Sequence, residues 1–192
     1  MLIRSVIDFL DKPTIRPIDD GYKMLKPINW IAMALGFLIS YPSLAYAQPS
    51  HCTPQELIIF NCSIGKKIAS VCASHSLSPQ SGYLQYRFGV VGSPELIIPN
   101  RKIPPNHSVS GNTLTFAGGG GAYLRFIRKR YHYIVYTAIG RGWGEKSGVS
   151  VEKNGQRLSN FICRDQPISE LGLDFFEHAQ IAIDQIGFEL PE

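Results

Sequence analysis

Short runs of alternating apolar and polar residues dominate the chain after residue 48, and glycine, proline or asparagine separates most of them. Period-two alternation predicts β-strands with one buried face and one solvated face. The runs are rich in Val, Ile, Tyr, Phe and Thr, which half-buried strands favour. We predict strands at residues 56–62, 66–73, 82–88, 95–98, 113–116, 122–127, 131–139, 148–152 and 157–163. About eight short strands predict a mainly β domain over residues 48–164, either a small antiparallel barrel or a sandwich.

Glycine, asparagine and proline predict the connections between these strands. Asn154-Gly155 separates two predicted strands and is typical of a type I′ hairpin turn. Residues 92–111 contain four prolines and are expected to form a long extended loop, because proline cannot donate to a strand ladder. The glycine run at 117–121 lacks the lysine of a phosphate-binding loop, so we expect a tight connection there.

The last part of the chain, residues 165–192, follows a different pattern. Apolar residues recur at helical spacings after Ser169, and acidic residues lie in the first turns. This pattern predicts a C-terminal helix over residues 169–181, with Ser169 as its N-cap. Residues 187–192 are expected to be a short extended segment.

Charge is divided unevenly between these two parts. Residues 48–164 contain fourteen Lys or Arg and four acidic residues, which gives a net charge of +10. Residues 165–192 contain seven acidic residues and no Lys or Arg, which gives −7. We therefore expect the acidic helical tail to pack on the basic β domain and balance it. The alternative is that the tail covers, or competes for, a basic binding face.

Residues 24–47 have the parts of a secretory signal peptide. A lysine precedes an uncharged apolar run, and Ala45-Tyr46-Ala47 fits a small-x-small cleavage site. Cleavage would leave no stable membrane span, whereas a retained membrane anchor is the alternative. Residues 1–23 carry four Asp, unlike the basic start of a signal peptide, so we expect them to be an over-extended start before Met24. The protein is therefore predicted to be periplasmic or secreted.

All four cysteines lie after the predicted cleavage site: Cys52, Cys62, Cys72 and Cys163. An even number of cysteines in an exported chain predicts two disulfides and no free thiol. The spacings contain no Cys-x-x-Cys pair and no His lies at ligand distance in sequence, so no zinc site is expected. No cofactor is predicted. Three pairings are possible. We favour one that joins the first strands to Cys163, because closing a long loop restricts the unfolded chain most.

Cationic and aromatic residues are interleaved along the predicted strands, a mixture that suits sugars, phosphates or acidic surfaces. The binding candidates are Tyr123, Arg125, Arg141 and Trp143. Trp143 lies in a Gly-Arg-Gly-Trp-Gly stretch, which predicts a surface loop, and an exposed Trp beside Arg is typical of an interface anchor. The expected partner of an exported chain is another exported protein or an anionic envelope polymer rather than nucleic acid. A solvated sheet face with half-buried tyrosines is the alternative interpretation.

No arrangement of residues in the sequence predicts catalysis. The chain contains neither a Gly-x-Ser-x-Gly elbow nor a His-Glu-x-x-His pair, and no catalytic residue is predicted. The predicted function is an exported, non-catalytic binding protein of the cell envelope. An envelope hydrolase is the first alternative, which two carboxylates converging in a pocket would favour. A structural envelope protein is the second.

Three stretches carry a family resemblance: Phe60-x-Cys62-x-x-Gly65, Gly119-Gly120-Gly121-Ala122-Tyr123, and the close from Gly155 to Cys163. Together they resemble the membrane-bound and periplasmic inhibitors of c-type lysozyme. The resemblance implies an eight-stranded antiparallel barrel, a bond between the first and last cysteines, and inhibition by a loop inserted into the lysozyme cleft. Glycine stands where that family has its inhibitory serine. The chain also resembles uncharacterised exported proteins of Gram-negative bacteria.

Overall fold

Strands account for most of residues 48–192, which are the residues that the computed structural model describes. The expectations for residues 1–23 and for a signal peptide at residues 24–47 lie outside the described residues. The elements in chain order are β1 (Glu56–Ile64), β2 (Lys67–Ser74), β3 (Leu84–Val90), β4 (Ser93–Ile98), a 3-10 helix (Pro105–His107), β5 (Val109–Phe116), β6 (Gly119–Arg128), β7 (Tyr131–Gly140), β8 (Gly144–Lys153), β9 (Gln156–Ile162), β10 (Ile168–Ser169), α1 (Leu173–Ala179) and β11 (Ala182–Ile183).

The described strands form two separate sheets. The first sheet has the order β10-β1-β2-β3-β4, and the second has the order β11-β5-β6-β7-β8-β9. Neighbouring strands are antiparallel except β11 and β5, which are parallel. The mainly β prediction is confirmed, and of the two predicted architectures the sandwich is the one found.

One apolar core lies between the two sheets and takes residues from both. Alternate residues of β6, including Phe126, point into this core. The ring centroid of Tyr86, on β3, lies 5.8 Å from that of Phe126 and 5.8 Å from that of Tyr133. The intervening residues of β6, such as Arg125, point to the opposite face of the second sheet, which we call its outer face.

Two hairpin regions differ in how well the sequence predicted them. Asn154 and Gly155 have φ angles of +51° and +79°, as a type I′ turn requires, so that prediction is confirmed. The glycine run was expected to be a connection, but Gly119 to Gly121 pair with β7 as the start of β6. A Cβ atom at Gly119 would lie 2.1 Å from the carbonyl oxygen of Ile139. Gly119 to Gly121 are therefore needed for close strand contact, whereas Ala117 and Gly118, with a φ of +79° at Gly118, form the expected tight connection between β5 and β6.

The C-terminal helix is shorter than the predicted 169–181. Ile168 and Ser169 instead pair with β1 as β10, so Ser169 is not the N-cap. The helix begins after Gly172 and ends at Ala179, and Phe176 and Ala179 are its buried residues. Backbone pairing with an open sheet edge thus replaces the first helical turn that the spacing predicted.

The proline-rich region is also partly a strand. Residues 92–111 were expected to form a loop, yet β4 starts at Ser93 and includes Pro94, and β5 starts at Val109. Proline is tolerated in β4 because this strand is at the edge of the first sheet, where a missing N–H breaks no ladder.

Two disulfides join all four cysteines, so the expectation of no free thiol is confirmed. Cys52 bonds to Cys72, and Cys62 bonds to Cys163. The second bond ties β1 of the first sheet to the end of β9 in the second, as the favoured pairing predicted. Two disulfides indicate an oxidising, exported environment. In residues 48–192, no helix has the length and apolar character that crossing a membrane demands.

Candidate functional site

The four predicted binding residues lie in two separate places. Tyr123 and Arg125 are on the outer face of β6, with relative exposures of 1% and 0%. Arg141 and Trp143 are exposed in the turn between β7 and β8. Arg141 lies beside the start of β6, and Arg125 is six residues further along that strand, a distance of about 20 Å at strand rise. The four residues therefore do not form one surface.

The turn between β7 and β8 presents a half-exposed aromatic surface, which we call the aromatic tip and define by Phe116, Arg141 and Trp143. The Trp143 ring lies 5.6 Å from that of Phe116 and covers Gly140, where a Cβ atom would come within 2.2 Å of the indole. Trp143 nevertheless keeps 38% of its surface exposed. Lys146 Nζ lies 5.1 Å from the ring centroid, so cation and indole are presented together.

Arg125 is the largest fully buried side chain of the described residues, and a polar cluster surrounds it. Its Nε donates to the Asp184 carboxylate at 3.0 Å, and its Nη1 donates to Glu152 at 2.9 Å. Nη1 also lies 3.1 Å from His132 Nδ1. Two carboxylates thus converge here, but the same guanidinium holds both. The arrangement is a buried ion-pair cluster.

Residues 184–191, which we call the tail segment, cover this cluster. The segment crosses the outer face from β5 toward β9 without forming helix or strand. Asp184 also accepts hydrogen bonds from Ser110 Oγ at 3.0 Å and from the Tyr123 hydroxyl at 2.9 Å. Burial, followed by the bond to Asp184, raises the pKa of Tyr123, so its phenol stays protonated and donates. A partner cannot reach Tyr123 or Arg125 while the tail segment is in place.

Aromatic and backbone contacts hold the rest of the tail segment. The Phe188 ring centroid lies 5.2 Å from that of Tyr123 and 5.5 Å from that of Tyr136. Carbonyl oxygens at residues 187, 189 and 191 accept from Arg125, Arg157 and Lys146, respectively. The pattern of alternation could not predict these contacts, because they join residues from 32 to 65 positions apart. The net charge of −7 was the signal that pointed toward them.

A second surface, which contains none of the four predicted binding residues, lies at the opposite end of the second sheet. We call it the cationic end and define it as Arg128, Lys129, Arg130 and Lys153. The strand register places Arg128, Tyr131 and Lys153 side by side on β6, β7 and β8. Asn154 N donates to the Arg130 carbonyl at 3.3 Å, which joins the two turns. Among the described residues, none of these four cations has a carboxylate within 4.0 Å.

A different buried ion pair anchors the residues before β1. Glu56, whose side chain is 1% exposed, accepts two hydrogen bonds from Arg87, both at 2.7 Å. It also accepts from the Tyr83 hydroxyl at 2.6 Å and from the Thr53 backbone N–H at 2.8 Å. Burial alone raises the pKa of this carboxyl, but these bonds outweigh it and lower the pKa of Glu56 from 4.5 to about 2.

This lowered pKa predicts a loss of stability in acid. The contribution of Glu56 is fully present above pH 4.5 and disappears as the pH falls through about 2. The shift corresponds to about 3 kcal/mol. We expect urea unfolding of the Glu56→Gln variant to depend less on pH between 5 and 2 than that of the unmodified chain. Glu95→Gln is the matched control, because the Lys67–Glu95 pair is nearly half exposed and should change the pH dependence little. Equal pH dependence for both variants would contradict the assignment.

Comparison of the chain with models of known protein families, with curated protein sequences and with solved structures finds no significant match. Within residues 48–192, no group of three or more His, Cys, Asp or Glu is placed to hold a metal ion. The chain is therefore a disulfide-bonded β-sandwich with three distinct surfaces. These are the aromatic tip, the cationic end, and the outer face of the second sheet, which the tail segment covers.

Proposed function

We propose that this chain is an exported, non-catalytic binding protein of the cell envelope, periplasmic or secreted, which binds an anionic envelope polymer through the cationic end. The observation that carries the proposal is the grouping of Arg128, Lys129, Arg130 and Lys153 on adjacent turns without carboxylate partners among the described residues. Arg87 and Arg125, by contrast, are buried and paired with carboxylates.

Arg128, Lys129 and Arg130 are exposed and Lys153 is half-buried, and this grouping favours a polymer with repeated negative charge. Binding at this surface breaks no ion pair of residues 48–192, so the attraction is opposed mainly by desolvation and side-chain ordering. Clustered charges of one sign also raise the local concentration of an oppositely charged ligand, and salt weakens that effect. The aromatic tip adds a stacking surface at the other end of the same sheet, which an extended polysaccharide can reach.

Neutralising two residues of the cationic end tests the proposal. We expect Arg128→Gln with Arg130→Gln to weaken binding to purified lipopolysaccharide at least tenfold and to reduce its salt dependence, since each charge pair contributes up to about 1 kcal/mol. Lys66→Gln with Arg164→Gln is the matched control, because it removes the same charge from exposed positions at the opposite end of β9. Neutral dextran is the control ligand. An equal loss of affinity in both double variants would contradict the proposal.

The aromatic tip provides a prediction with a different signature. We expect Trp143→Ala to weaken lipopolysaccharide binding about tenfold without changing its salt dependence, because stacking rather than charge is removed. Its stability loss should be about 1–2 kcal/mol, below the roughly 3–5 kcal/mol for a fully buried aromatic. Calorimetric melting and a binding titration on the same variant measure both. Unchanged affinity in a folded variant would remove Trp143 from the contact.

Inhibition of a c-type lysozyme is a narrower proposal, and sequence resemblance alone supports it. The resembling stretch from Gly119 to Tyr123 lies within β6, and its tyrosine is buried. An inhibitory loop would therefore have to come from another part of the chain, such as the aromatic tip. A lysis assay with equimolar c-type lysozyme is the direct test.

A further inference from the structure

The tail segment lies on the outer face of the second sheet in the way that a bound peptide lies on a receptor. It runs across the strands. After Asp184, whose N–H donates to the Gly111 carbonyl at 3.0 Å, cationic side chains hold its backbone carbonyls. We define the tail groove as Tyr123, Arg125, Tyr136, Lys146 and Arg157. Because carbonyl oxygens are common to every peptide, these backbone contacts fix the direction and position of a segment but not its sequence.

Two side chains of the tail segment make the selective contacts. The Asp184 carboxylate meets Arg125 Nε at 3.0 Å and the Tyr123 hydroxyl at 2.9 Å. Four residues later, the Phe188 ring packs against the rings of Tyr123 and Tyr136, and the Arg157 guanidinium lies 5.8 Å from its centroid. The tail segment thus presents to the groove a carboxylate and, four positions on, an aromatic ring.

Two residues of the groove, Arg125 and Tyr136, are held in place by contacts outside the tail segment. Arg125 is fully buried and keeps Glu152 and His132 as partners that do not belong to the tail segment. The Tyr136 hydroxyl donates to Asn160 on β9. These residues lie on strands whose ladders do not include the tail segment. Its departure would thus leave a shaped site rather than a collapsed one.

The tail segment itself is held less firmly than the strands beneath it. Residues 185–187 and 189 are exposed, and the main apolar core lies on the other side of the sheet. The tail contributes Phe188 and Leu190 to a separate, smaller cluster. Exposed residues with few backbone bonds belong to the least stable parts of a fold, so the tail segment can open without global unfolding.

We propose that the tail groove is a peptide-binding site, and that the chain's own tail segment is its resident ligand. The exchanging partner is an extended segment of another exported protein that carries a carboxylate four residues before an aromatic side chain. Charge complementarity supports this choice, because residues 48–164 carry +10 and the tail segment contains two acidic residues, Asp184 and Glu189, and no Lys or Arg. The tail groove is a different surface from the cationic end, so this proposal goes beyond the proposed function. Each of the two proposals can be refuted without affecting the other.

A labelled synthetic peptide of residues 182–192 is the probe for this site. The full chain with Asp184→Asn and Phe188→Ala should bind it at least tenfold more tightly than the unmodified chain, whose tethered tail competes at high effective concentration. A peptide with the same two substitutions is the matched control and should bind at least tenfold more weakly. If the folded double variant binds neither peptide, or binds both equally, the proposal is wrong.

Hydrogen exchange on the unmodified chain gives a second measurement that does not depend on the variant folding. Saturating peptide should increase deuterium uptake in residues 182–184, where the Asp184 N–H donates to the Gly111 carbonyl at 3.0 Å, because the chain's own segment is displaced, while uptake in β6 and β7 stays constant. No change in uptake would overturn the proposal. The unmodified chain could instead form a dimer that the peptide dissociates. That result would identify the tail of a second copy as the occupant, and it would overturn the assignment to a segment of another protein.

Discussion

Replacing Cys62 and Cys163 together by alanine is expected to lower the free energy of unfolding by about 5 kcal/mol. This bond joins residues 101 positions apart, and a cross-link over so long a loop removes much conformational freedom from the unfolded chain. It also joins the two sheets, so its loss allows them to separate early in unfolding. For a domain of this size, about 5 kcal/mol is a large part of the total stability.

The other disulfide provides the matched comparison. Cys52 and Cys72 are 20 positions apart, so the same entropic argument predicts a loss of about 3 kcal/mol for the paired alanine variant. Urea unfolding of both variants, with all remaining cysteines oxidised, measures the difference. A larger loss for the short-loop variant would show that native packing, rather than loop length, determines what each bond contributes.

Local sequence pattern predicted the strands and the tight turn because their causes are local. Alternation sets which side chains share a face, and Asn154-Gly155 adopts positive φ at low cost. Nine of the strands lie near their predicted positions for this reason. The two strands that the pattern did not predict, β10 and β11, have two residues each. They form because β1 and β5 offer open sheet edges.

The helix and the binding residues were harder to predict because distant contacts decide them. Ser169 has the chemistry of an N-cap, yet backbone pairing with Phe60 places it in β10. Tyr123 and Arg125 have the composition of a binding surface, but the tail segment covers both. Sequence patterns identify which side chains can bind an anion, whereas the register and the tail determine which anion they meet.

The charge asymmetry between residues 48–164 and residues 165–192 illustrates what a net charge can and cannot predict. The seven acidic residues of the tail were expected to balance the β domain as a whole. In the structure, however, only Asp184 of the tail forms an ion pair among the described residues. The other contacts of the tail segment use carbonyl oxygens and rings. A net charge therefore predicts that two segments associate, but not which groups carry the association.

Replacing Arg125 by methionine is expected to destabilise the fold by about 3–5 kcal/mol. Methionine retains much of the apolar volume, so the loss measures the charge rather than a cavity. Without the guanidinium, Asp184 and Glu152 remain largely buried as carboxylates with no cation beside them, and removal of one partner from a buried ion pair carries a penalty of this size. The tail segment should also loosen, since Arg125 bonds both Asp184 and the Gly187 carbonyl.

Lys67→Met is the matched control for this result. Its partner Glu95 and the lysine itself are 46% and 39% exposed, so the change should cost less than about 1 kcal/mol. Adding Asp184→Asn and Glu152→Gln to Arg125→Met should recover part of the stability, because neutral amides no longer need the cation. Urea unfolding at neutral pH measures each step. If Arg125→Met destabilises no more than Lys67→Met, the buried cluster does not hold the tail segment on the sheet.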